Sequence, residues 1–445
     1  MSTRDLAALC RDTNTTFVLA LFVDLNGKPC AKLVPVTAVD ELSTEGVGFA
    51  GYAVGAMGQE PKDPDLVAIP DPASFTPIPF IKPGLAIVHC DPHVLGRPWP
   101  FAPRNLLKAV LQQVGDAGFE AWVGAEVEYF LLKRTPDGTL TTADAEDTAA
   151  QPCYDARALT RMYDHLTAIS DAMNTLGWGN YANDHEDGNG QFEQNFKFAD
   201  ALTTADRVVT LRYLLSMLAA ERGMIATFMP KPFTDRTGSG LHLHLSLTSA
   251  GSPVFPGVED PRALGLSQTA YGFVGGILDH AAALQALIAP TVNSYKRTGA
   301  VSTTSGASWA PRTPTYGGND RTHYVRVPDN QRVEVRGGDG SANPYLAIAA
   351  TLGAGMDGVK RSIDPGPVGE FDPARRALPL TLLHAVEHLE SDAVMTSVLD
   401  AAMPSGDPME GARVSKYYAE LKRKEFFAWH STVSPWEIDT YLTAF

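Results

Sequence analysis

The chain has 445 residues, 44% apolar and 20% charged, the balance of an ordinary globular protein with a core large enough for two domains, or for one large domain with a small appendage. Its 51 acidic and 36 basic residues give a formal charge of −15, which argues against a nucleic-acid binder and leaves carboxylates free for divalent cations. Four widely spaced cysteines without a CxxC pair, no apolar run of roughly 18 residues, and an N-terminus carrying Asp5 predict a soluble, cytoplasmic protein without disulfides, zinc cluster, signal peptide or membrane span.

In chain order, residues 4–11 predict a short helix. Phe17 to Val36 predicts two strands joined at Asn26-Gly27, a dipeptide suited to a tight hairpin. Short strands such as Leu85 to His89 then alternate with Gly- and Pro-rich turns up to the bridge GRPWPFAPR, Gly96 to Arg104. A domain boundary is expected there, with a small β-rich domain over 1–103 and a larger domain over 104–445. Beyond it, apolar residues at helical spacing predict helices over Asn105–Ala117, Asp155–Leu176, Ala205–Glu221, Ser267–Leu287 and Asn343–Val359. Strands are predicted over Ala121–Leu132, Leu241–Leu247 and Gln331–Arg336.

Those three strands carry charge, which strands disfavour unless it serves a purpose. Glu126 and Glu128 alternate with Val127, His242 and His244 alternate with leucines, and Arg332, Glu334 and Arg336 alternate with valines. Period-2 geometry puts each set on one face. If the strands share a sheet, carboxylates and imidazoles converge on that face as ligands suited to Mg²⁺ or Mn²⁺. The stretch NDHEDGNGQFEQN, Asn183 to Asn195, adds Glu186 and Glu193 around glycines that let the backbone turn tightly. Taken singly, each acid also fits a solvated surface charge; four segments with one chemical theme favour a metal site. Arg297, Arg321, Arg326, Arg332 and Arg336 crowd a span of 40 residues, and guanidinium groups bind carboxylates and phosphates in bidentate fashion. Metals beside arginines suggest phosphoryl transfer. Neither a Walker A sequence nor a strand-linked GxGxxG occurs, so an ATP site must be of another kind.

FMPKPF followed by GSGLHLHLSL, with EVEYFLL, NSYKR and RVEVRGGDGSANPYL, resembles the glutamine synthetase family along nearly the whole chain. The NDHEDGNGQFE form resembles the type III subgroup, which is similar to the γ-glutamylmethylamide synthetases. The resemblance implies an α+β fold: an N-terminal β-grasp domain and a catalytic domain with a curved antiparallel sheet flanked by helices. It also implies stacked rings, a dodecamer, with active sites between neighbouring subunits. By motif, it places one metal on Glu128, Glu186 and Glu193 and another on Glu126, His242 and Glu334. It places glutamate on Arg297, Arg336 and the Gly238 backbone, transferred and nucleotide phosphates near Arg321 and Arg326, and the nucleotide near His244 and Ser246. The implied reaction is ATP-dependent phosphorylation of the glutamate γ-carboxylate, followed by displacement of phosphate by an amine.

The departures bear on which amine. The family's phenylalanine-aspartate-glycine motif reads Phe49-Ala50-Gly51 here, and the flap after NSYKR, Thr298 to Asn319, contains no Asp or Glu. In the family that aspartate and an acidic flap residue attract ammonium, so the resemblance implies that their loss leaves apolar surface at Ala50, Tyr52 and Trp309 with room for a methyl group. The expected reaction therefore joins glutamate to methylamine. The alternatives are a glutamine synthetase using ammonia, in which Asp184 or Asp187 takes the deprotonating role, a ligase for longer amines, and a catalytically inactive scaffold. Thr237 replaces a frequent family Asn, and Gly337-Gly338 replaces a bulkier pair, which bears on the placement of Arg336.

Overall fold

The computed structural model describes residues 5–300, 303–403 and 413–445; residue 4 of the predicted first helix and residues 301 and 302 of the flap lie outside them. The first helix spans Leu6–Asp12, capped by the Asp5 carboxylate, which accepts from the Ala7 amide at 3.2 Å. Strands β1 (Phe17–Val23) and β2 (Pro29–Pro35) form the predicted hairpin, with Gly27 in the turn at φ +81°. Three further strands, β3 (Val47–Phe49), β4 (Leu66–Pro70) and β5 (Leu85–Val94), complete a sheet in the order β2-β1-β5-β4-β3, flanked by two short strands on β5. β1 runs parallel to β5 beside the antiparallel hairpin, and a helix at Val39–Glu45 packs on β4, the arrangement expected of a β-grasp unit.

The second sheet has eleven strands. Its path runs β7 (Ala182–His185), β8 (Gln191–Asn195), β6 (Glu120–Arg134), β9 (Leu241–Ser249), β11 (Arg332–Val335), β10 (Val325–Asp329) and the short strand Tyr316–Gly317. All these pairs are antiparallel except the last, where Tyr316 lies parallel to Val325. The alternation is realised as sequence predicts: Leu241, Leu243, Leu245 and Leu247 are each no more than 2% exposed and pack into the core. Burying the leucine face in the apolar layer while the other face carries the polar side chains is what fixes the register, since a one-residue slip would drive the imidazoles into the apolar layer.

Two predicted helices prove to be broken. Asp155–Leu176 divides into Ala156–Arg161 and Tyr163–Thr175, and Ser267–Leu287 divides into Gln268–Asp279 and Ala281–Ile288, bent by 75°. The second bend falls at His280, whose ring bonds Asp392 at 2.7 Å and Asp357 at 3.1 Å, partners remote in sequence and invisible to periodicity. The other helices form near their predicted bounds, at Pro103–Asp116, Ala201–Ala220 and Pro344–Arg361. Among the described residues, no single helix is long and apolar enough to cross a membrane.

Candidate active site

The register of the second sheet builds the site. His242 on β9 stands opposite Glu126 on β6, and His244 stands opposite Glu334 on β11. β8 brings Glu193 opposite Glu128. Four sequence segments, separated by up to about 200 positions, thus deliver their charged side chains to one face.

Glu126 lies at the centre. Its two oxygens meet His242 Nδ1 at 3.0 Å and His244 Nε2 at 2.9 Å. Burial pushes its carboxyl up, but the two imidazole bonds prevail and hold it well below the ordinary carboxylate range. The neighbouring acids behave oppositely. Burial and the charges of Glu128, Asp184 and Glu126 push Glu186 up to about 8, and burial with Glu126 and Glu186 raises Glu193 well above its usual value. Such a cluster is short of positive charge, and oxygen donors with an occasional imidazole suit a hard divalent cation. Ligand atoms of Glu126, Glu193 and His242 lie within 4.8 Å of one another, as do those of Glu126, His244 and Glu334. The donor set therefore fits a divalent metal. This grouping differs from the sets implied by resemblance, because His244 joins Glu126 and Glu334 as well as facing a cavity.

Glu334 is fully buried between arginines: its oxygens accept from Arg326 Nη1 at 2.7 Å and Arg336 Nη1 at 2.5 Å. Burial raises its carboxyl, yet His242 and Arg336 bring it below the normal range. Arg326 also donates to Asn319 Oδ1 through Nε at 3.0 Å, so its guanidinium faces protein partners and lines neither cavity described below. Arg326, expected at the phosphates, is thus held by Glu334 and Asn319 beside the first cavity's wall rather than in its lining.

Two cavities open on this face. The first, about 370 Å³, is lined by Glu126, Glu128, Asp184, Glu186, Glu193 and His242, by Gly238, Arg297, Arg321 and Arg336, and by Ser308 and Trp309 of the flap. Arg297 is 3% exposed, and its Nε and Nη1 find no hydrogen-bond partner among the described residues; Arg336 Nε is likewise unpartnered. Buried, unpaired guanidinium nitrogens beside a cavity call for an anionic ligand. Gly238 permits this approach, since a Cβ there would collide with the Pro230 carbonyl and press on the Arg297 stem. Asp184 lines the same cavity, its carboxyl raised by burial and by Glu126. The second cavity, about 330 Å³, is lined by Gly124, Ala125, Lys197, Phe198, His244 and Arg332, and shares Glu126 and Tyr181 with the first. Arg332 Nε sits 3.2 Å from His244 Nδ1.

Two other expected positions lie outside both cavities. Ser246 is on β9 opposite Trp122, further along the strand. Ala50 is exposed at the start of the short helix Gly51–Val54 that follows β3, and Tyr52 within it is 60% exposed. Sequence reasoning missed Cys153, Tyr154 and Tyr181, which also line the first cavity. They belong to loops without periodic pattern. The Cys153 thiol is pushed up to about 12 by burial and by Glu186 and Asp187, so it stays protonated.

The family model "Glutamine synthetase, catalytic domain" matches residues 100–441. The chain is similar to "Glutamine synthetase" of Rhizobium leguminosarum bv. phaseoli, 40% identical over 448 residues and covering 99% of each chain. It is 38% identical over 457 residues to "Glutamate--methylamine ligase" of Methyloversatilis universalis, covering 100% of each. A solved structure described as "GmaS/ADP complex-Conformation 1" superposes with a TM-score of 0.90 at 45% identity, covering 98% of this chain and 99% of that one. A second, "Apo GmaS without ligand", gives 0.89 at 44%, covering 99% of each. The chain belongs to the glutamine synthetase family.

Proposed function

We propose that the protein is an ATP-dependent ligase that joins the γ-carboxylate of glutamate to methylamine, forming a γ-glutamyl amide through a γ-glutamyl phosphate. The observation that carries the ligase reading is the meeting of two cavities at Glu126: one offers unpaired guanidinium nitrogens to an amino-acid anion, the other an open aromatic and basic surface to a nucleotide. Similarity to proteins named "Glutamine synthetase" and "Glutamate--methylamine ligase" supports it.

Arg297 and Arg336 would hold the glutamate carboxylates, with the Gly238 backbone fixing the chain between them. The nucleotide would lie over Phe198 with its phosphates toward Arg332 and His244, its terminal phosphoryl directed to the shared wall. Glu126, Glu128, Glu186, Glu193, His242 and Glu334 would hold Mg²⁺ or Mn²⁺. Such ions neutralise charge on the phosphate oxygens. A glutamate γ-oxygen then attacks phosphorus and ADP leaves, with Arg321 at the cavity rim countering developing charge. The neutral amine nitrogen attacks the acyl carbon, phosphate departs, and the excess proton passes to Asp184, whose raised carboxyl makes it a better base than an exposed aspartate.

The choice of methylamine rests on the flap. Its described residues offer Ser308 and Trp309 to the cavity and no carboxylate, so a small cation gains little there while a methyl group gains apolar contact. Ala50 and Tyr52 lie exposed just beyond β3, and we assign them to the amine end of a neighbouring subunit's cavity in a ring assembly; the division into domains over 1–103 and 104–445 belongs to the same proposal. A second reading, amidation by ammonia, draws on Asp184 as an acid already in the cavity. Incubation with glutamate, Mg-ATP and a panel of amines, with product mass determined, tests the proposal: γ-glutamylmethylamide is expected, and glutamine alone would contradict it.

A further inference from the structure

The flap has no acid of its own, yet it is bound to one. Asp187 follows Glu186 in the loop after β7 and is 6% exposed. One of its oxygens, Oδ2, accepts from Ser305 Oγ at 2.5 Å and from Trp309 Nε1 at 2.8 Å. Both donors belong to the flap. Two further bonds tie the same segment to the loop carrying Gly238: the Thr304 amide donates to the Asp235 carbonyl at 2.8 Å, and Thr237 Oγ1 donates to the Ser308 carbonyl at 3.2 Å. Trp309 itself sits at φ +55°, a left-handed conformation that a bulky residue adopts only when its surroundings impose it. The imposed conformation turns the indole so that its N–H reaches Asp187 while the residue walls the first cavity.

We propose that Asp187 is a positioning residue that latches the flap through Ser305 and Trp309, so that the Trp309 indole closes the amine end of the cavity and keeps water from the acyl phosphate. This rests on the ligase reading above and deepens it. A flap without a carboxylate cannot secure itself over the cationic and metal-binding groups by charge. Here the charge is supplied from below, by the residue adjoining Glu186, which couples flap position to the acidic loop. Two charge-assisted bonds on one buried oxygen make the closed position favourable despite the strained backbone at Trp309. When the latch opens, a water oxygen attacks the acyl carbon, the bond from that carbon to the phosphate oxygen breaks, and glutamate, inorganic phosphate and a proton are released. ATP is then consumed without amide being formed.

The test uses the full-length protein with glutamate, Mg-ATP and its best amine, measuring phosphate and amide together. Trp309→Phe keeps a ring and removes the N–H; Ser305→Ala removes the hydroxyl. Both positions lie on a partly exposed segment outside the hydrophobic core. The wild type is expected to release one phosphate per amide. Each variant is expected to release an excess, with glutamate-dependent phosphate release in the absence of amine rising about tenfold, the factor by which losing one hydrogen bond to a charged acceptor shifts an opening equilibrium. Amide formation with unchanged coupling in both variants overturns the latch alone, as does excess phosphate release that does not require glutamate. Absence of amide with every amine in the wild type overturns the ligase reading, and the latch with it.

Discussion

Replacing Glu334 with glutamine probes the densest charge arrangement in the protein. The carboxylate is wholly buried, receives Arg326 at 2.7 Å and Arg336 at 2.5 Å, and lies 3.7 Å from His242 Nδ1. Glutamine preserves the shape but removes the charge, and its amide nitrogen presents a donor to a guanidinium that also donates. Breaking a buried ion pair from one side costs about 3–5 kcal/mol, because the remaining charge stays buried without compensation. With about 2.1 cal/mol/K of unfolding entropy per residue over 445 residues, that loss lowers the thermal midpoint by about 3–5 °C. Turnover should fall further, by about tenfold to a hundredfold or more, since Arg336 loses the partner that orients it and the metal group loses an oxygen. Scanning calorimetry and steady-state phosphate release measure the two effects. Glu334→Asp, which keeps the charge on a shorter stem, should recover more stability than activity. An unchanged midpoint together with unchanged turnover in Glu334→Gln would refute the reasoning.

Three further outcomes are expected. Burial opposes protonation of His280, but its bonds to Asp392 and Asp357 overcome this and raise its pKa; the stabilisation is therefore fully present below about 6.5 and is lost as pH rises through the raised folded value. The stability gap between wild type and His280→Gln should shrink from pH 6 to 9, and a constant gap would contradict the assignment. Because Glu186 is held protonated up to about 8, adding Mg²⁺ near pH 7 should release protons, seen as a dependence of calorimetric binding heat on buffer ionisation enthalpy; identical heats in all buffers would argue against Glu186 as a ligand. Gly337→Ala places a Cβ against Tyr324 and Gln285, an overpacking worth about 1–3 kcal/mol next to Arg336, so KM for glutamate should rise several-fold, and an unaltered KM would show that Arg336 does not depend on this glycine.

The site was readable in sequence to the extent that strand geometry controls it. A period of two places Glu126 with Glu128, His242 with His244, and Glu334 with Arg336 each on one face of its own strand before any fold is known, and adjacent strands then bring the three sets together. What could not be read depends on contacts remote in sequence. His280 bends a continuous apolar helix pattern through partners 77 and 112 positions away. Arg326 turns inward because Glu334 is across the β10–β11 pair, at a bulge that no composition rule announces. Asp187 read in sequence, beside Asp184, as a candidate base for an ammonia reaction; only the folded chain shows the flap resting on it. Ala50 lies apart from its own chain's cavities, and the role inferred for it requires a second subunit.

The central claim, an amine site built for methylamine, is tested most directly by kcat/KM for methylamine against ammonia at saturating glutamate and Mg-ATP. One methyl group in an apolar site is worth about 1–3 kcal/mol, so methylamine should be favoured by about tenfold or more. Equal values, or a preference for ammonia, would contradict the account.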